Sequence, residues 1–452
     1  MKKLTEGNIY KTFILYAIPL VLSGLLTQAY NLIDTMIAGK FLGEDGLAAI
    51  GATSQFITFM SSVFWGYING FSVYIARLFG AGDYERIRRG IYMHIMICTA
   101  ASFVVSALTV IFHEPLFDLL NVSEEIREDT FRYFSVYMAG FFLFHMITNG
   151  TLLLSALGDS LFPFIMSMVS AVMNIVGNIL SVTVFGLGVF GIALSSVISA
   201  GAVSVLYMLR FSHCFKALLP HSPRIKPSFS EAKEGLAYTL PTILQQSSLY
   251  LSGFVLSPMI NVTGSAAIAS YVVTSQVLTI HNAVYQNSAR TVSNYTAQCL
   301  GSEYEAEEKR RRLRRGVKVG ALQGVLLVLV ILIPCMVFPE FIASMFFSEG
   351  SSSESVALAV IFLRFFLPFV LFNVINNLFH SFFRGVKAMN LLVISTVFAS
   401  AMRIAVSFPL TNTYGINGFY GGMVIAWILE AVFVLILYRS GIWMPKELKI
   451  KK

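Results

Sequence analysis

The sequence predicts an all-α integral membrane protein with twelve transmembrane helices. Of its 452 residues, 56% are hydrophobic and only 12% are charged, whereas soluble domains carry about 25% charged residues. Apolar windows long enough to cross a bilayer of about 30 Å recur along the whole chain. These windows show no period-2 alternation, so they predict helices and not the strands of a barrel.

The predicted spans number six in each half of the chain. In the first half they cover residues 12–38, 50–78, 91–112, 131–156, 161–185 and 189–211. In the second half they cover residues 236–259, 267–300, 317–338, 356–383, 391–410 and 416–438.

The net charge of +8 follows a topological pattern. Basic residues occupy the even-numbered connections and the tail, namely Arg86, Arg88, Arg89, Lys216, Arg224, Lys226, Arg310, Arg311, Arg312, Arg314, Arg315, Lys446, Lys449, Lys451 and Lys452. The odd-numbered connections are acidic or neutral. Because positive side chains favour the cytoplasmic side, both termini are expected in the cytoplasm. We interpret the basic run at residues 309–315 as an anchor at lipid headgroups and not as a nucleic-acid site.

The two halves of the chain repeat one another at a displacement of roughly 220 to 229 residues, as in a duplicated transporter. The string TSQFIT at residues 53–58 returns as TSQVLT at 274–279, and Pro19 has its counterpart in Pro241. Each copy contains six helices. Because six is an even number, both copies have the same orientation in the membrane and are related by a pseudo-twofold axis along the membrane normal. The predicted domains are an N-terminal lobe (1–211), a cytoplasmic linker (212–235), a C-terminal lobe (236–438) and a basic cytoplasmic tail (439–452).

Asp34 places a carboxylate inside the first apolar run. A charge in the hydrocarbon region costs about 3 kcal/mol or more unless it is hydrated, paired or protonated. The residue therefore indicates an ion or proton site. The alternative is a buried carboxylate that is merely hydrogen-bonded to Asn31 or Tyr30.

Three motifs together resemble one known family. The sequence carries NLIDT at 31–35, GAGDY at 80–84 followed by RRG at 88–90, and ALGDS at 156–160. With six plus six helices, these motifs are similar to those of the multidrug and toxic compound extrusion (MATE) family of the MOP flippase superfamily. The resemblance implies a secondary antiporter whose two lobes form a V around a central cavity. It also implies export of organic compounds in exchange for protons or sodium.

The resemblance extends to individual residues of an ion-coupling site. It assigns that role to Asp34, with Asn149, Asn174, Asn178 and Ser196 as companions. Family members often carry an aspartate where this chain has Asn178, and a threonine where it has Ser196. The cluster would therefore hold one negative charge, which favours a proton over Na⁺ as the coupling ion while leaving Na⁺ possible, because Na⁺ needs several oxygen ligands. No other cofactor or metal is expected.

Polar stripes mark the predicted C-terminal lobe. One predicted helix carries Asn373, Asn377, His380 and Arg384, another carries Asn282, Gln286, Arg290 and Asn294, and a third carries Gln245 and Gln246. Such stripes do not face lipid, so they line either the cavity or an interface between helices. The predicted substrate-cavity set consists of Gln28, Asn31, Gln245, Gln246, Asn282, Gln286, Arg290, Asn373, Asn377 and His380. Some relatives carry an acid at the position of Asn373, and its absence puts a cation site in this lobe in doubt.

Four further charges lie within predicted helices. We expect Glu430 to reach toward the cytoplasmic interface, a reading favoured over a coupling role. Arg364 is expected to snorkel to the outer interface. Arg403 and Arg290 are available to an anionic group or to a partner such as Glu430, so the charge of the substrate stays open.

The functional prediction is an antiporter that exports organic compounds, of cationic or multidrug type, with Asp34 as the coupling carboxylate. The alternative is a flippase for lipids or lipid-linked saccharides, which would favour several convergent arginines around a polyphosphate headgroup. An enzyme is disfavoured because the histidines are scattered and no nucleophile motif or metal spacing occurs. The expected partners are small organic substrates and the bilayer of a bacterial inner membrane, and a monomer suffices for this mechanism.

Overall fold

The computed structural model describes residues 2–219, 229–261, 263–347 and 352–448. Within these ranges every regular element is helical, which agrees with the predicted class. The prolines of the predicted linker, at 220, 223 and 227, and the tail residues 449–452 lie outside the described residues.

The helices follow one another with short connections. They are α1 (Ile9–Ala81), α2 (Tyr84–Ile111), α3 (His113–Leu119), α4 (Glu124–Ala139), α5 (Phe141–Ala156), α6 (Leu161–Thr183), α7 (Gly188–Leu218), α8 (Phe229–Asn261), α9 (Ser265–Gly301), α10 (Ala306–Val337), α11 (Pro339–Ser344), α12 (Ser353–Ile361), α13 (Val370–Gly385) and α14 (Met389–Arg439). A π-helical turn (Phe362–Phe366) and a 3₁₀ turn (Leu367–Phe369) join α12 to α13, and a 3₁₀ turn (Lys446–Leu448) follows α14.

Glycines interrupt the two longest helices. Gly43 in α1 has φ 70° and ψ −163°, and Gly415 in α14 has φ 59° and ψ −139°. Side chains with a Cβ rarely adopt such positive φ values, so glycine suits both breaks. Each break divides one long helix into two helical segments.

The described residues contain seven helices that are long and apolar enough to cross a membrane, or eight if α4 and α5, bent by 45°, form one span. The predicted number of twelve requires α1 and α14 to cross twice, once on each side of their glycine breaks. It also requires the more polar helices α8 and α9 to cross. The twelve crossings therefore stay a prediction.

The chain forms two compact units. Unit 1 comprises Met1–Lys3 and Leu22–Ile243, and unit 2 comprises Leu4–Val21 and Leu244–Lys452. The units differ from the predicted lobe boundaries in two segments, because the start of α1 belongs to unit 2 and the start of α8 belongs to unit 1. Both changes of unit come within a few residues of a proline, Pro19 or Pro241, where one helical hydrogen bond is lost. Whether the predicted lobes act as functional domains stays a prediction.

Ion pairs hold the start of α8 inside unit 1. Arg86 lies 2.8 Å from the carboxylate of Glu234 and 3.6 Å from that of Glu231, and Arg89 lies 3.6 Å from Glu231. In the next turn α8 packs closely against α1, because Gly70 of α1 lies against the backbone of Tyr238.

The segment Leu4–Val21 is held in unit 2 by a corresponding arginine. Arg312 of α10, which takes the place of Arg86 in the repeat, donates from Nη1 to the carbonyl oxygen of Thr5 at 2.8 Å. Asn294 donates to the hydroxyl of Tyr16 at 2.8 Å. Arg86 and Arg312 thus each bind a segment that comes from the other half of the chain.

The close approach at Gly70 generates a prediction about stability. A Cβ at this position would lie 2.5 Å from the carbonyl oxygen of Tyr238, so Gly70→Ala forces α1 and the start of α8 apart. We expect the free energy of unfolding to fall by about 1–3 kcal/mol, as for overpacked cores. Thermal unfolding of the purified protein in detergent measures this loss.

The matched control is Gly51→Ala in the same helix. A Cβ there meets no atom within 4 Å, so this variant should melt at or slightly above the temperature of the unsubstituted protein. Equal melting temperatures for the two alanine variants would contradict the proposed packing.

Candidate ion-coupling and substrate sites

Three helices of unit 1 bring polar side chains to Asp34. The carboxylate lies on α1, between two and three turns before the break at Gly43, and is half-buried. Helix α6 supplies Asn174 and Asn178, which are four residues apart and therefore share one helix face. Helix α7 packs along α6 and supplies Ser196. The structure thus brings together four of the five residues assigned to ion coupling.

Hydrogen bonds join these four residues. Asn178 donates from Nδ2 to Oδ1 of Asp34 at 2.7 Å. The amide of Asn174 lies 2.7 and 3.0 Å from the two carboxylate oxygens and 2.9 Å from the hydroxyl of Ser196. Asn174 and Asn178 are buried, so the amides have little access to competing water.

The amide of Asn174 has two chemically sensible orientations. With its nitrogen toward Asp34 it donates to both carboxylate oxygens, and its oxygen accepts from Ser196. With its oxygen toward Asp34, its nitrogen donates to Ser196 and its oxygen accepts from Asn178 at 3.3 Å. An ionised carboxylate only accepts hydrogen bonds, so it matches the first orientation. A protonated carboxyl group has an O–H to donate, so it matches the second.

Aromatic side chains lie near the carboxylate, and the sequence points to Tyr30 alone among them. Tyr30 of α1 and Tyr133 and Tyr137 of α4 are close enough to Asp34 to interact with its charge. The rings of Tyr133 and Tyr137 stack with centroids 5.8 Å apart. Their spacing of four residues predicts a shared helix face, but nothing in the sequence connects that face to Asp34.

Asn149 forms its hydrogen bonds elsewhere in unit 1. Its amide donates to the carbonyl oxygen of His145 at 2.9 Å and approaches Sγ of Cys98 at 3.5 Å. The structure gives it no hydrogen bond to the Asp34 cluster within the described ranges. Gln28 is half-buried and Asn31 is exposed on α1.

Glu430 corrects one expectation from the sequence. The side chain does not reach the cytoplasmic interface but is buried between α13 and α14, with 8% of its surface exposed. Oε1 lies 3.2 Å from Nε2 of His380, and Oε2 accepts from Nδ2 of Asn376 at 3.0 Å. The sequence does not indicate Asn376 as a partner of Glu430, because the polar stripe follows the helical spacing of Asn373 and Asn377 and Asn376 lies outside it. The contacts with these two residues stabilise the carboxylate in the interior more than a position at the headgroups would.

Gln245 connects His380 to a buried arginine. Arg384 donates from Nη2 to Oε1 of Gln245 at 2.7 Å, and Nε2 of Gln245 lies 3.3 Å from Nδ1 of His380. Because the oxygen of Gln245 accepts from Arg384, its nitrogen is the donor to Nδ1. The imidazole proton is therefore assigned to Nε2, which faces Glu430. The four side chains form one chain of polar contacts inside unit 2.

The other residues of unit 2 that were predicted to line the cavity differ in burial. Gln246 is buried, whereas Asn282, Gln286, Arg290, Asn373 and Asn377 are half-buried. Nδ2 of Asn377 donates to the carbonyl oxygen of Asn373 at 3.0 Å. Arg364 pairs with Glu340 at 2.9 Å, with both side chains exposed, and Arg403 is close enough to Glu430 for their charges to interact.

Comparison with known proteins gives these sites a family context. The sequence profile of the family described as MatE matches residues 19–180 and 241–408, and the two matches begin 222 residues apart, in agreement with the predicted duplication. The probable multidrug resistance protein YpnP of Bacillus subtilis is 23% identical over 449 residues, which cover 99% of each chain. The multidrug export protein MepA of Staphylococcus haemolyticus is 21% identical, over 96% of this chain and 94% of that protein.

Solved structures share the fold. An outward-facing multidrug resistance MATE family transporter of the MOP superfamily superposes with a TM-score of 0.87 at 20% identity, over 97% of this chain and 98% of that one. A MOP superfamily transporter from Pyrococcus furiosus, described as having a binding pocket of reverse polarity, superposes with a TM-score of 0.86 over the same shares at 20% identity. The family matches confirm the resemblance seen in the motifs. The chain is a multi-pass membrane transporter, not an enzyme, and belongs to the MatE family.

Proposed function

We propose that the protein is a secondary antiporter that exports small organic compounds in exchange for protons, with Asp34 as the coupling carboxylate. The observation that carries the proposal is the hydrogen-bonded cluster of Asp34, Asn174 and Asn178 in the interior of unit 1. Several relatives are named multidrug resistance or export proteins, which supports substrates of the multidrug type. We further propose twelve crossings of a bacterial inner membrane with both termini in the cytoplasm.

The donors around Asp34 favour a proton over Na⁺. A sodium ion binds through several oxygen atoms, but Asn178 directs an N–H group at the carboxylate. Asn149, a further oxygen ligand in the predicted set, has no hydrogen bond to the Asp34 cluster among the described residues, and its amide nitrogen donates to the carbonyl oxygen of His145. A proton needs only the carboxylate and an acceptor for the resulting O–H, which the oxygen of Asn174 provides.

The coupling step follows from the two orientations of Asn174. When Asp34 takes up a proton, it loses its charge and gains a donor, so the amide of Asn174 turns its oxygen toward α1 and its nitrogen toward Ser196. The hydrogen bonds between α1, α6 and α7 therefore change with the protonation of one group. We propose that this change repacks unit 1 and releases the substrate outside. Inward movement of one charge gains about 2.3 kcal/mol per 100 mV of membrane potential.

Replacing the carboxylate tests the proposed coupling. Asp34→Asn keeps the size of the side chain but cannot ionise, so accumulation driven by an imposed pH gradient in proteoliposomes should fall at least about tenfold, equivalent to about 1.4 kcal/mol. Substrate counterflow without a gradient should continue. The control is Asp45→Asn, an exposed carboxylate on the same helix, which should transport like the unsubstituted protein.

Two results would contradict the proposal. The first is an Asp34→Asn variant that responds to the pH gradient at the rate of the unsubstituted protein. The second is uptake driven by a sodium gradient at constant pH and not by a pH gradient, which would replace the proton by Na⁺ at the same site.

Cells that overexpress the protein distinguish a drug exporter from a flippase. We expect decreased susceptibility to several organic compounds in a drug panel, and Asp34→Asn should restore the susceptibility of cells without the transporter. Unchanged susceptibility together with altered levels of lipid-linked intermediates would instead favour flipping of lipids.

A further inference from the structure

The interior of unit 2 is short of negative charge. Residues 244–452 contain no aspartate, and α9 and α13 contain no acidic residue at all. The glutamates of α10 and α12 lie in the first turns of those helices. Among the described helices of unit 2, Glu430 is therefore the carboxylate available in the interior.

Arg384 is buried without a carboxylate partner. Only 5% of its surface is exposed, and its one described hydrogen bond goes to a neutral acceptor, the amide oxygen of Gln245. Its Nε is buried without a hydrogen-bond partner among the described residues. Arginine is seldom buried to this extent unless its charge is paired.

Arg290 adds a second positive charge to the same region. Helix α9 packs against α13, and a Cβ at Gly385, the residue after Arg384, would lie 2.8 Å from the carbonyl oxygen of Ser293, three residues after Arg290. Both arginines therefore lie within one helical turn of the same close contact. No ion pair or hydrogen bond of Arg290 is found within the described ranges. Two like charges in an apolar surrounding are unfavourable unless water or an anion compensates them.

Glu430 does not supply the missing charge. Its carboxylate faces His380 and Asn376. No ion pair joins Glu430 to Arg290 or Arg384 among the described residues, which leaves the two arginines without a carboxylate partner there. Planar guanidinium groups bind carboxylates and phosphates through two parallel hydrogen bonds.

We infer that Arg290 and Arg384 form a binding site for an anionic group, a carboxylate, sulfonate or phosphate, of the exported compound. Gln245 fixes the guanidinium of Arg384 from one side and leaves the remaining donors to the ligand. The inference rests on the proposed export function and narrows its substrates to anions and zwitterions, in place of the cationic compounds expected from the sequence.

A pair of probes that differ by one charge tests the site. Dansylglycine carries a carboxylate, and dansylglycinamide is its neutral counterpart. Fluorescence titration of the purified protein in a neutral detergent should give dansylglycine an affinity at least about tenfold higher. Arg290→Gln and Arg384→Gln should each bring this ratio close to one.

Three further variants serve as controls. Arg364→Gln removes an exposed arginine paired with Glu340 and should keep the ratio. Arg384→Lys retains the charge without the planar fork and should give an intermediate ratio, so that a folding defect of Arg384→Gln does not decide the test. Asp34→Asn should keep the ratio while losing gradient-driven transport, which separates failure of the anion site from failure of the proposed coupling.

Two outcomes would overturn the inference. Equal affinities of the unsubstituted protein for both probes would exclude an anion site. Displacement of dansylglycine by phosphatidylglycerol in nanodiscs, with no export of dansylglycine from proteoliposomes, would assign the site to a lipid headgroup and not to a substrate.

Discussion

The interior of this protein depends on one constraint: a polar or charged group within apolar helices needs a partner, because lipid offers none. In unit 1 the two amides of α6 satisfy the carboxylate of Asp34. In unit 2 Asn376 donates a hydrogen bond to Glu430, whose carboxylate also lies beside His380, and Gln245 partly satisfies Arg384. In unit 2 the two arginines have no carboxylate partner among the described residues, and this shortage of negative charge supports the anion site inferred above.

This difference in polarity supports separate roles for the two units in the proposed antiport. Unit 1 surrounds a single carboxylate with donors, an arrangement suited to a group that gains and loses a proton. Unit 2 places two arginines beside neutral amides, an arrangement suited to an anionic ligand. We regard the division into a coupling unit and a binding unit as the chemical basis of the proposed antiport.

The sequence predicted the helical class and most of the Asp34 cluster, because the helical period and the spacing of Asn174 and Asn178 express that geometry locally. It did not predict the partners of Glu430, since a carboxylate near a helix end fits an interfacial position equally well until Asn376 is seen beside it. The sequence also did not predict the residues at which the two compact units begin and end. They lie within continuous helices, where neither composition nor charge changes, and only the packing around Pro19 and Pro241 reveals them.

The start of α1 belongs to unit 2 and the start of α8 belongs to unit 1, and this arrangement has a consequence for biosynthesis. Leu4–Val21 leaves the ribosome long before Leu244, yet it belongs to a unit whose other residues begin at Leu244. The first segment must therefore wait, inserted but without its final neighbours, until the second half of the chain has been made. Unit 1 likewise stays incomplete until the start of α8 follows the linker. Neither unit can reach its final packing during translation of its own half, so assembly is completed only after both halves have entered the membrane.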